Sequence, residues 1–128
     1  MHSVVIMAVA ALFVLPTSVS PSGTQAEITE TTKAQVIDAI EKYVEQDAQV
    51  KEAFLVLDPR NGEPLRLAFD HVHAGVEPHE KGYAACVDFK DRAGKVYDVD
   101  IVVGKTAKRM EVAKVFLHKV EGKAVTAK

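Results

Sequence analysis

Hydrophobic and polar positions alternate strictly along two neighbouring runs, Gly82–Lys90 and Val96–Val103. Tyr83, Ala85, Val87 and Phe89 share one side of the first run, with Ala84, Cys86 and Asp88 on the other. In the second run Tyr97, Val99, Ile101 and Val103 share a side, and Asp98 and Asp100 point away. A period of two marks half-buried antiparallel strands, and Asp91-Arg92-Ala93-Gly94-Lys95 reads as the hairpin connection between them. Cross-strand partners must share a face, so Phe89 is expected opposite Tyr97, Val87 opposite Val99 and Ala85 opposite Ile101. The same register sets Asp88 against Asp98 and Cys86 against Asp100. The outer face is therefore acidic, and directly opposed like charges on a sheet are destabilising unless a cation is near.

Upstream the period turns helical. Val36, Ile37, Ile40, Tyr43 and Val44 form one apolar stripe, with Lys33, Asp38, Glu41, Lys42 and Glu45 on the other side. Thr32-Lys33-Ala34-Gln35 fits a capping box, which predicts a helix from Lys33 to Asp47. A short apolar strand, Ala53–Leu57, follows and is closed by the turn Asp58-Pro59-Arg60-Asn61-Gly62. A second strand runs from Pro64 to His73, with Leu65, Leu67, Phe69, His71 and His73 alternating against Arg66, Ala68, Asp70 and Val72. Ala74–Lys81 reads as a loop into the central hairpin. After a basic loop from Lys105, a last strand from Glu111 to Val120 directs Ala113, Val115 and Leu117 inward and Lys114, Phe116 and His118 outward. Residues 121–128 read as a flexible basic tail.

One N-terminal amphipathic helix followed by four to five antiparallel strands predicts an α+β class, the sheet curling around the helix to bury its stripe. Residues 32–120 would form this single domain, with 27–31 a flexible lead-in. The element order resembles the cystatin-like roll and, more loosely, the cone-shaped folds of the nuclear-transport-factor type. The run from Ala85 to Asp100, ACVDFKDRAGKVYDVD, is similar to small exported bacterial proteins of unknown function. Cystatin inhibitors carry a Gln-x-Val-x-Gly hairpin where this chain has Asp58–Gly62, so the resemblance implies architecture rather than protease inhibition.

The first 26 residues change the picture of where the domain works. Val4–Leu15 is an apolar run of signal-peptide length, Pro16 breaks it, and Thr24 and Ala26 suit cleavage after Ala26. Export to the periplasm or outside the cell is the expectation. An uncleaved anchor is the alternative, because no Lys or Arg precedes the apolar run. A single cysteine, Cys86, excludes an internal disulfide. Charge is uneven: Glu27–Gly104 carries 16 acidic and 9 basic residues, and Lys105–Lys128 carries 2 acidic and 7 basic. An acidic body without a basic stripe argues against nucleic acid as a partner.

Two clusters carry candidate chemistry. His71 and His73, with His79 and Tyr83 nearby, form a His-x-His arrangement that suits zinc or copper. Pairing Arg66 with Asp88 would set His71 beside Tyr83 on the helix side, at the open end of the roll. The second cluster is the outer face: Arg66, Cys86, Asp88, Asp98, Asp100, Lys114 and His118. Cross-strand ion pairs, an oxygen-ligated cation, or a Cys86-His118-Asp100 nucleophile are its three readings. The leading functional expectation is a non-enzymatic binding module for a protein or small ligand, without a cofactor, in which an open sheet edge takes a partner strand or a second copy. A metal-binding protein, with zinc or copper on the histidines, is the first alternative. A small enzyme with Asp70 or a histidine as acid/base at the roll's mouth is the second.

Overall fold

Thr29 opens the helix. In the computed structural model, which describes residues 27–126, α1 spans Glu30–Lys51 and the Thr29 hydroxyl accepts from the Thr32 backbone N–H. The capping-box expectation misplaces this cap at Thr32, because Thr29 offers the same chemistry one turn earlier and lets the helix gain another turn. Glu52 ends it in the left-handed region at φ 63°. Val36, Ile40 and Val44 are buried, with Ile37 and Ala39 partly buried beside them. Each such aliphatic side chain contributes roughly 1.5–3 kcal/mol on burial, so this stripe holds α1 to the sheet.

Seven strands follow: β1 (Phe54–Leu57), β2 (Pro64–Val72), β3 (Glu77–His79), β4 (Gly82–Lys90), β5 (Val96–Lys105), β6 (Met110–Val120) and β7 (Lys123–Ala124). They form one antiparallel sheet in the order β1-β2-β4-β5-β6-β7, with β3 paired to β4 beyond the end of β2. The sheet curls far enough for β1 to touch β6, and α1 lies in the curl against β1, β2, β5 and β6. The described residues are thus α+β, one helix on a curled antiparallel sheet, with more strands than the four to five expected. The additions are short: β3 falls in the expected loop, and β7 adds to β6 in the segment read as a tail.

The central hairpin has the register that alternation predicts: Phe89 opposes Tyr97, Val87 Val99, Ala85 Ile101, Asp88 Asp98 and Cys86 Asp100. Gly82 starts β4 at φ 144°, where a Cβ would collide with the backbone carbonyl of Val103. The core at this end of the sheet is aromatic. Phe54 stacks on Phe89 with ring centroids 4.7 Å apart, and Phe69 meets Phe89 edge-on at 6.0 Å.

These aromatics overturn the expected register of β2. Arg66 pairs with Leu55 of β1, and it is His71 that lies opposite Asp88. Leu65 and Leu67 are engaged by Val56 and Phe54, and Phe69 is set against Phe89, so the strand slides along β4 relative to an Arg66–Asp88 pairing. Asp70 then bulges between Phe69 and His71 and breaks the alternation. Val72, not His71, packs on the core beyond the bulge. On β6 Ala113 is similarly bulged out, so Val112 takes the inward place expected for Ala113. No helix of the described residues is long and apolar enough to cross a membrane. The signal-peptide expectation for residues 1–26 lies outside the described residues.

Candidate metal centre

The convex face of the sheet carries a band of ionisable side chains across four strands. β4 and β5 contribute it by simple alternation: Cys86 and Asp88 from one, Asp98 and Asp100 from the other, paired in register. Bulges bring in the flanks. On β2 the extra residue Asp70 rotates His71 onto this face, opposite Asp88. His73 is held on the same side, its backbone N–H donating to the Cys86 carbonyl at 2.9 Å. On β6 the extra residue is His118, inserted between the partners of Asp98 and Val99. A bulged residue is released from the ladder, so its side chain can turn toward a neighbour.

Two ligand sets result. Cys86, Asp98, Asp100 and His118 place one donor atom each within 4.8 Å of one another, and so do His71, His73 and Asp88. In the first set the Cys86 thiol donates to Asp100 Oδ1 at 3.0 Å. His118 Nδ1 lies 3.2 Å from Asp100 Oδ2, yet it is off the line a hydrogen bond requires. His118 Nδ1 and Asp98 Oδ1 are both shut off from solvent without a hydrogen-bond partner. A buried polar atom left unpaired costs about 1–3 kcal/mol. Two such atoms, Asp98 Oδ1 and His118 Nδ1, meet in one cluster.

The Cys86 thiol is pushed up to about 12, first by burial and then by the neighbouring Asp100 and Asp98 carboxylates. Such a thiol holds its proton and is a poor nucleophile. The arrangement also runs Cys–Asp–His, with the carboxylate between thiol and imidazole, whereas a nucleophilic triad needs the imidazole against the thiol. Both points argue against the nucleophile reading of Cys86, His118 and Asp100.

In the second set Asp88 Oδ1 lies 3.1 Å from His73 Nε2, and Oδ2 lies 3.7 Å from His71 Nε2. His71 Nδ1 is 2.7 Å from Asp70 Oδ2. That hydrogen bond, with Lys90 at 3.6 Å, holds the Asp70 carboxyl below the usual carboxylate range.

The remaining expected site residues are elsewhere. His79 sits in the β3–β4 turn, its Nδ1 accepting from the Lys81 N–H at 3.2 Å, and joins neither ligand set. Tyr83 packs partly buried against the core, opposite Val103. His71 is therefore apart from the helix-side pocket expected for it, whereas Tyr83 lines a cleft with Ile28, Thr29 and Thr32 at the start of α1. Arg66 donates weakly to the Lys51 carbonyl, and Lys114 lies over the Phe116 ring at 5.1 Å. Neither neutralises the carboxylates. Asp70, expected at the roll's mouth, stands on the bulge between His71 and Lys90.

The histidine pair and the acidic face, legible in sequence as two separate clusters, are thus one surface. What sequence reasoning missed is Asp70 as the partner of His71, since a bulge leaves no mark in an alternating pattern. No protein-family model, curated protein or solved structure matches this chain.

Proposed function

We propose that this protein binds a divalent transition-metal ion of the zinc class on the convex face, through Cys86, Asp98, Asp100 and His118. The observation that carries this reading is the pair of buried, unpartnered donors, Asp98 Oδ1 and His118 Nδ1, converging with a thiol and a second carboxylate. Tetrahedral zinc with the usual bond lengths sets its ligands about 3.3–3.8 Å apart. The separations around Asp100, 3.0 Å to the thiol and 3.2 Å to the imidazole, are a few tenths of an ångström short of that range, so the ligands would move slightly apart around an ion. Sulfur and nitrogen donors favour zinc or copper over calcium, which takes oxygen. The metal would supply the positive charge that the opposed carboxylates lack.

Export of the domain belongs to the same proposal, resting on the apolar run Val4–Leu15 and the small residues before Glu27. So does kinship of architecture with the cystatin-like roll, resting on one helix held in a curled antiparallel sheet. The test is zinc titration of the purified, chelator-treated protein by calorimetry. Stoichiometric binding that weakens at least ~10-fold in Cys86→Ser and in His118→Ala supports the reading, the scale being that of losing a metal's supporting groups. Unchanged affinity in both variants rejects it.

A second reading, the binding module, is favoured by a cleft of about 790 Å³ between the C-terminal half of α1 and β2. Val44, Ala48, Phe54, Leu67 and Phe69 line it, and Phe69 is 40% exposed there. Its apolar floor and charged rim suit a small ligand with a flat apolar body. Competition of such ligands with a fluorescent apolar dye, lost in Phe69→Ser, is the corresponding measurement.

A further inference from the structure

We propose that the convex face holds two metal ions, the second bound by His71, His73 and Asp88 beside the first. This rests on the metal-binding reading above and extends it to the adjoining ligand set. His71 and His73 project from one strand with their rings 5.3 Å apart and 27° from parallel. Both present Nε2 to the same carboxylate, at 3.7 and 3.1 Å. The far nitrogen of His71 faces Asp70 Oδ2 at 2.7 Å. A carboxylate there accepts a hydrogen bond from Nδ1–H, which favours the tautomer with its Nε2 lone pair free to ligate. Two lone pairs, on His71 Nε2 and Asp88 Oδ2, then face each other at 3.7 Å. A cation shared by both imidazoles and Asp88 satisfies all three at once.

The bulge at Asp70 serves both ends of this arrangement. It rotates His71 onto the convex face and places a carboxylate behind its ring. Buttressing of this kind, a carboxylate on the outer nitrogen of a histidine ligand, is the usual support of a metal-bound imidazole. His73 is positioned from the other side by its backbone hydrogen bond to Cys86, itself a ligand of the first set.

The two sets meet at Asp88 and Asp98, which are direct cross-strand partners. The Cβ atoms of such partners lie about 4.5–5.5 Å apart, so the two ligand sets adjoin on the sheet. Among the described residues the basic side chains within 4.0 Å of the Asp88 and Asp100 carboxylates are histidines, with no lysine or arginine. Two divalent ions would balance a face that presents Asp70, Asp88, Asp98 and Asp100.

Native mass spectrometry of the purified protein loaded with Zn²⁺, and optical spectra with Co²⁺, test this. The expected result is two ions per chain, falling to one in His71→Ala/His73→Ala with the cobalt–thiolate absorption kept. Cys86→Ser should also retain one ion but lose that absorption. Asp70→Asn, a change behind the imidazole, should weaken only the second ion, by about 10–100-fold. One ion that survives the double histidine variant overturns the second site and leaves the first standing. A single ion abolished by both variants overturns the two-ion arrangement in favour of one shared site. No ion at all overturns the metal-binding reading itself. Both histidines are at least 39% exposed, so matched unfolding curves confirm that the variants fold.

Discussion

Asp88 and Asp98 face each other as Cα partners across β4 and β5, two carboxylates directly opposed on the convex side of the sheet. Neither makes an ion pair with a lysine or arginine among the described residues; the partners of Asp88 are His71 and His73. In the metal-free protein this opposition is a cost, and sites that trade stability for function are stabilised when neutralised. Asp98→Asn should therefore raise the stability of chelator-treated protein by about 0.5–1 kcal/mol, read as a higher urea midpoint at constant slope. Zinc binding should fall in the same variant. A lower midpoint without metal would show that Asp98 is already satisfied.

Burial and the carboxylates beside it push the Cys86 thiol up to about 12. At pH near 8 the folded, metal-free protein should react with iodoacetamide at least ~10-fold more slowly than the urea-unfolded chain, whose thiol is near 8.5. Asp100→Asn removes the acceptor and one negative neighbour and should speed labelling of the folded protein. Equal rates in folded and unfolded chains would contradict a protonated, shielded thiol.

Asp58 is buried in the β1–β2 turn, accepting from the Arg60 backbone N–H at 2.9 Å and from its guanidinium at 2.7 Å. The Arg60 side chain, foremost, holds the Asp58 carboxyl below its ordinary value despite burial. A carboxyl depressed on folding contributes stability that is full above the unfolded value of about 3.9 and is lost as pH falls through the folded one. Asp58→Asn should cost about 1–2 kcal/mol at neutral pH, and the gap from the parent should narrow as acid is added below about pH 4. A gap that stays constant into acid would rule out Asp58 as the titrating group.

Thr29 and Thr32 are alternative caps in sequence and unequal ones in the fold. Thr29 Oγ accepts from the Thr32 N–H at 3.1 Å. Thr29→Ala should lower stability by about 1 kcal/mol, and Thr32→Ala, whose N–H remains capped, by less. Thermal unfolding of the two variants distinguishes them, and a larger loss in Thr32→Ala would move the cap.

The alternation of Tyr83–Phe89 and Tyr97–Val103 by itself determined the central hairpin, its register and the pairing of Cys86 with Asp100 and Asp88 with Asp98. A strict period of two rules out every odd slip, and the five-residue connection Asp91–Lys95 selects one of the registers that keep both apolar sides on the core. The stripe Val36, Ile40 and Val44 likewise determined a helix with one buried side. The flanks of the site were decided by tertiary structure alone. Leu67 and Phe69 lock β2 against Phe54 and Phe89, and the mismatch is absorbed at Asp70. On β6 the same kind of adjustment falls at His118. A bulge is the residue left over when packing on two neighbouring strands cannot be met in one continuous register. Its position depends on both strands together, which is why the histidines came to the carboxylates only in the folded chain.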